Sequence, residues 1–214
     1  MLNHALPAFA IASLLAFGAG VAPAGAEVVT TRSEAAVVPL DYDVKGFAEV
    51  KTGIRGRVTI AGTFSGAYTP ATGAFTGAFA LTPTRAHVTV LGLLPVVAET
   101  DWSFTEPVTG RWQDGVLTLH AAARIHHPRL LAFGSIPVAG GGKCATRRPS
   151  ILDLQSDPAT PTADVFGGGT LKTTGNGFTI SPLSGCGALD GLLSAVAAGG
   201  GNQATLQLSP RSAG

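Results

Sequence analysis

The chain is short of charge. Asp, Glu, Lys and Arg make up 13% of its residues and the net charge is +1, against about 25% charged in an ordinary soluble domain. With no basic block, nucleic acid is not an expected partner. Helix formers are scarce too: there is one Met and little Glu or Lys, while glycine reaches 29 residues. That balance favours strands and turns over helices. After residue 26 no stretch is long and apolar enough to span a bilayer as a helix. The short catalytic motifs are missing as well. The chain has no G-x-S-x-G, no H-E-x-x-H, no P-loop, no S-x-x-K and no glycosylation sequon, which moves the commonest exported hydrolases out of the front rank. No cofactor or metal is expected, and the chain reads as more fitted to binding than to catalysis.

What is present begins with a targeting segment. Residues 5–26 carry no charge, Ala10 to Val21 form an apolar run, and Ala24-Gly25-Ala26 places small residues where a signal peptidase reads. Cleavage after Ala26 and an extracellular destination are the expectation; a retained N-terminal anchor is the alternative. The expected division is a signal peptide over 1–26, a flexible segment over 27–40, a β-domain over 41–209 and a tail over 210–214. Two cysteines, Cys144 and Cys186, in an exported chain most simply pair with each other.

Alternation then sets the fold class. Val58, Ile60, Phe64 and Tyr68 point one way, with Arg57, Thr59, Thr63 and Ser65 opposite. Phe75, Phe79 and Leu81 share the next apolar face. Ala98, Trp102 and Phe104 form another, as do Leu117, Leu119, Ala121, Ala123 and Ile125. Gln113-Asp114-Gly115 is the strongest hairpin signal. Gly73-Ala74-Phe75-Thr76 is echoed by Gly115-Val116-Leu117-Thr118. Leu91-Gly92-Leu93-Leu94-Pro95-Val96 is echoed by Phe133-Gly134-Ser135-Ile136-Pro137-Val138. Both echoes fall at the same offset of 42 residues, the mark of a duplicated hairpin unit ending in a Gly-x-x-Pro-Val corner. Gln155 to Asp164 reads as a surface loop. Leu189, Leu192, Leu193 and Val196 recur at helical spacing before Gly199 to Gly201, which predicts one short C-terminal helix. The expected fold is a single all-β domain, either an antiparallel sandwich or a small barrel.

Several side chains are candidates for function. In a barrel, the glycine-spaced apolar face of Val58, Ile60, Phe64, Phe75 and Phe79, with the soft run Val88 to Val97, could line a pocket for a small apolar ligand. In a sandwich the same rings, with Trp102 and Phe104, would fill the core. Trp112, beside a turn, is a candidate exposed aromatic, and Lys143, Arg147 and Arg148 a candidate anion-binding cluster. His120, His126 and His127 do not suit a metal. Strand register puts His120 and His126 on one face and His127 on the other, and His126-His127-Pro128 reads as a turn. Glu99 and Asp101, two apart on an outward face, read as a solvated pair and not as glycosidase carboxylates.

The segment Thr179-Ile180-Ser181-Pro182-Leu183-Ser184-Gly185-Cys186-Gly187-Ala188-Leu189 resembles one in uncharacterised exported proteins of high-GC Gram-positive bacteria. The Leu-Gly-x-x-Pro corner, Gly140 to Cys144 and Gly201-Asn202 follow the same order in that family. The resemblance implies export and a Cys144–Cys186 bond, and implies no activity. The functional expectation is therefore an exported non-catalytic binding or structural module, with a cell-wall or lipid component as its partner. The alternatives are a carrier of a hydrophobic ligand and, third, a hydrolase.

Overall fold

A computed structural model describes residues 36–157 and 166–211. The expected signal segment and cleavage site lie outside the described residues. Strand β1 (Val38–Lys51) turns into β2 (Ile54–Thr69), and the two pair antiparallel along their whole length. β1 takes in Val38, Pro39 and Leu40, so the chain is ordered before the expected boundary at 41; Leu40 is buried in the core and holds this start down.

Next come β3 (Ala74–Leu81) and β4 (Thr84–Val90), both antiparallel to β2. They are one wall strand interrupted at Thr82-Pro83, where proline has no N–H to give. The ladder survives the break, because the Thr82 N–H donates to the Ala61 carbonyl at 2.8 Å. β5 (Leu94–Phe104) and β6 (Val108–Gln113) repeat the device at Pro107. They run beside β7 (Val116–Ala132), which passes through His126-His127-Pro128 as strand, correcting the expected turn.

β8 (Ile136–Gly140) and β9 (Ala145–Thr146) fold back against the end of β7. β10 (Ser150–Ser156) pairs with its other half, so strand occupies the first two residues of the expected loop. β11 (Gly169–Thr173) and β12 (Phe178–Ile180) form a third interrupted wall strand along β14 (Gly199–Pro210). Between them and β14 lie β13 (Leu183–Ser184), paired with β9, and helix α1 (Asp190–Ala197). β14 pairs with β1 from Tyr42↔Pro210 to Glu49↔Gln203. The sheet thereby closes into an eight-stranded antiparallel barrel with outer strands, which decides barrel over sandwich.

The Gly-x-x-Pro-Val echoes are tight hairpin turns, not corners. Leu91 and Gly92 have φ of 51° and 72°, and Phe133 and Gly134 have φ of 50° and 76°. Asp114-Gly115 makes the same kind of turn at the other end of the barrel, with φ of 53° and 78°. Two successive residues at positive φ are the type I′ pattern that matches strand twist.

The two halves of the barrel interior differ. Toward the Asp114 end, rings fill it: Phe64 meets Phe79 at 5.3 Å and Phe75 at 6.0 Å, and Phe79 meets Phe104 at 5.2 Å between centroids. Glycine makes this filling possible. A Cβ at Gly110 would run into the Phe75 ring, and one at Gly66 or Gly77 into the Phe64 ring, so those rings reach up to bare backbone. The gap left among Leu40, Tyr42, Phe64, Phe75, Leu117 and Leu119 is about 10 Å³, room for about one water at most.

The opposite end is held by two devices. Asn202, fully buried, accepts from the Lys51 N–H at 3.0 Å and donates to the Phe178 and Gly199 carbonyls at 3.1 and 2.9 Å. That one amide ties β1, β12 and β14 together. Cys144 and Cys186 are bonded, linking the segment before β9 to the approach of α1. Asp190 in the first turn accepts from the Gly185 and Cys186 N–H groups at 3.0 and 2.6 Å, and Ser194 bonds both backbone groups of Leu183.

Candidate functional site

The half of the barrel that aromatic rings do not fill holds a cavity of about 450 Å³. Its walls follow from the alternation. β5 presents Leu94, Val96, Ala98, Thr100 and Trp102 inward at every second position. β4 adds Val88 and Val90, β2 adds Ile54 and Val58, β1 adds Ala48 and Val50, and β7 adds Ile125, His127 and Leu130. Apart from Trp102, His127 and Phe178, the lining is made of small or branched side chains where the other half has clustered rings, so the same wall curvature leaves a space. The helical stripe Leu189, Leu192, Leu193 and Val196 does not seal onto a packed core; it forms one side of the cavity.

Almost the whole cavity surface is hydrocarbon. Three residues at its floor carry polar atoms, Thr100, Trp102 and His127, and each has a buried polar atom with no protein partner: Oγ1, Nε1 and Nδ1. These atoms are tucked behind the apolar lining. His127 is half-buried and lines the cavity. Burial pushes its pKa down to about 4. A hydrogen bond to the Glu99 backbone favours the charged ring and opposes the shift in part; the nearby His126 adds to it. The imidazole is therefore neutral near pH 7, and the pocket holds no charge.

The residues singled out from the sequence are distributed as follows. Val58 lines the cavity. Ile60, Phe64, Phe75 and Phe79 do not: all four sit in the barrel core outside the cavity, Phe64, Phe75 and Phe79 in the filled half. The face was read correctly, but the cavity lies further along it, beside the run Val88 to Val97. Trp112 is not an exposed platform; it is half-buried against the main core with Nε1 enclosed. Lys143, Arg147 and Arg148 are exposed beside the disulfide.

Groups with catalytic potential lie on the outer wall. Ser103 Oγ and His126 Nε2 approach to 2.7 Å, and His120 Nδ1 is 2.6 Å from Asp153 Oδ1, both in exposed positions. Glu99 is taken by Arg85 at 2.7 Å, and Asp101 accepts from the Trp102 N–H at 2.8 Å. His127 points inward, away from His120 and His126. Among the described residues no group of His, Cys, Asp or Glu could hold a metal, and no helix is long and apolar enough to cross a membrane.

Sequence reasoning named the Val88 to Val97 run as pocket lining but missed the lining role of α1. The signals were present as the soft Val88 to Val97 run and the apolar helix stripe, but neither says that the space between them is empty. Comparison with family models, with curated proteins and with solved structures finds no match for the chain.

Proposed function

We propose that the protein is an exported, non-catalytic binding module that carries a hydrophobic ligand in the open half of its barrel. The observation that carries this reading is the cavity of about 450 Å³, walled by hydrocarbon and open between apolar turns. At about 30 Å³ per water, it has the volume of about fifteen waters, and so of a single acyl chain of similar carbon count or a compact ring system. A pocket of this size lies in the range of small-molecule sites. Water gains little in such a space, while each methylene moved into it contributes about 0.8 kcal/mol. Ten buried methylenes would give about 8 kcal/mol, a micromolar dissociation constant. With no charge inside, the pocket favours a neutral or tail-first ligand. The disulfide and the N-terminal segment support action outside the cytoplasm.

The test is native mass spectrometry of the protein recovered from its producing cell, paired with uptake of a fluorescent fatty acid. A bound mass that leaves on denaturation, and micromolar uptake, are expected. Ala98→Phe, which projects a ring into the cavity, should abolish uptake with the fold retained. Uptake unchanged by Ala98→Phe would refute the pocket as the site.

A further inference from the structure

The rim of the cavity has a composition that the fold itself does not call for. Leu91 is 65% exposed, Leu93 86%, Phe133 66% and Leu192 61%. Leu91 and Phe133 also sit at positive φ in their turns, a conformation that bulky side chains rarely adopt. Turns of this type ordinarily take Asn or Asp before Gly, and the chain does so in Asp114-Gly115 at the opposite end of the barrel. At the mouth it places a leucine and a phenylalanine in the same strained position and then leaves them in solvent. Neither packing nor backbone preference explains that choice.

The rim segments Leu91–Leu93, Phe133–Ile136 and Gly191–Ala195 contain no charged residue. Cations stand on the outer wall below them. Lys51, Arg55 and Arg129 lie within a few residues of the turns; Glu49 is shared by Arg57 and Lys51 at 2.9 and 3.6 Å and Glu99 by Arg85 and Arg129 at 2.7 and 3.9 Å, so five cations stand there against two carboxylates. Carboxylates outnumber cations toward the other end, where Asp41, Asp43, Asp114, Asp153 and Asp157 stand against Arg111, Lys172 and Arg211, the last paired with Asp43 at 3.4 Å. The nearly neutral chain is thus polarised, with an apolar tip and a positive collar at the cavity mouth.

We infer that this rim docks on an anionic lipid bilayer, with Leu91, Leu93, Phe133 and Leu192 entering the acyl boundary and the collar facing the headgroups. An apolar face flanked by cations is the pattern of interfacial binding, and a patch of this kind marks an interaction site. Docking here would set the cavity mouth against the bilayer, so an apolar ligand could pass between them without crossing water. The inference rests on the carrier reading for its purpose, while its geometry comes from separate residues.

Vesicle co-sedimentation of the exported, disulfide-bonded protein tests it, using phosphatidylcholine vesicles with and without phosphatidylglycerol. Wild type should pellet with the anionic vesicles, less with the neutral ones, and less again at high salt. Phe133→Asn suits the turn and does not touch the cavity. It should weaken partition at least tenfold while fatty-acid uptake holds and melting temperature does not fall, and adding Leu91→Asn should weaken partition further. Wild type that stays in the supernatant, or Phe133→Asn that pellets like wild type, would overturn the docking. So would a wild-type dimer that forms without vesicles and is lost in Phe133→Asn, since the rim would then be covered by a second copy. Uptake without vesicle binding would sink the docking alone; vesicle binding without uptake would sink the carrier reading alone.

Discussion

His127 should make this barrel acid-sensitive, and the effect can be worked through. Its imidazole protonates at 6.5 in the unfolded chain and at about 4 in the folded one, chiefly because the ring is buried. The unfolded state therefore binds the proton more tightly. Stability is complete above pH 6.5, falls as pH is lowered from 6.5 to 4, and levels off below 4. The loss is about 3 kcal/mol, a large share of the 5–15 kcal/mol typical of a domain. Urea unfolding at a series of pH values from 7.5 to 4 measures it. Glu49, whose carboxyl the Arg57 hydrogen bond holds below its usual range, also favours unfolding at low pH. The informative quantity is thus the difference between wild type and His127→Leu. At pH 7 the two should agree within about 1 kcal/mol, because leucine removes the unpartnered Nδ1 but also the donor to Glu99. At pH 4 the variant should be the more stable by about 2–3 kcal/mol. Parallel curves from pH 6.5 to 4 would show that His127 takes up its proton in the folded state without cost, and the buried placement of its ring would be wrong.

The remaining expectations concern stability. Replacing Cys144 and Cys186 by alanine releases a loop with a sequence separation of 42; chain entropy puts the loss at about 4 kcal/mol, or about 10 °C in melting temperature, and a melting point within a degree or two of wild type would argue against the bond as a main clamp on the α1 end. Asn202→Ala strips partners from the Lys51 N–H and from the Phe178 and Gly199 carbonyls and should cost about 3 kcal/mol by urea denaturation; a loss under about 1 kcal/mol would mean that water replaces the amide there. Phe133→Asn, at φ 50°, should raise stability by about 1 kcal/mol as turn strain is relieved, and a calorimetric loss of that size would show that the phenylalanine packs in solution.

Much of the fold was legible because it rests on local rules. Alternation along β2, β5 and β7 named the inward residues correctly, as with Ala98 and Trp102 in and Glu99 and Asp101 out. Asp114-Gly115 marked its hairpin, and the stripe from Leu189 to Val196 marked the helix. The turn expected at His126-His127-Pro128 failed because proline in that position reads locally as a break, whereas β7 continues there with β5, β8 and β9 packed beside it.

The site was legible only in part. Phe64, Phe75 and Phe79 looked like pocket lining because glycines alternate with them, but those glycines make room for the rings themselves. The amino-acid sequence alone determined the all-β class, the inward faces, the hairpin turns, the single described helix and which cysteine could meet which. Tertiary structure decided that the sheet closes on itself through β1 and β14, that the rings gather in one half, and that the Leu91 turn and α1 line one mouth. Whether the space inside a barrel is filled depends on the summed volume of side chains that several strands, far apart in sequence, bring to the same height. No local pattern along one strand carries that sum.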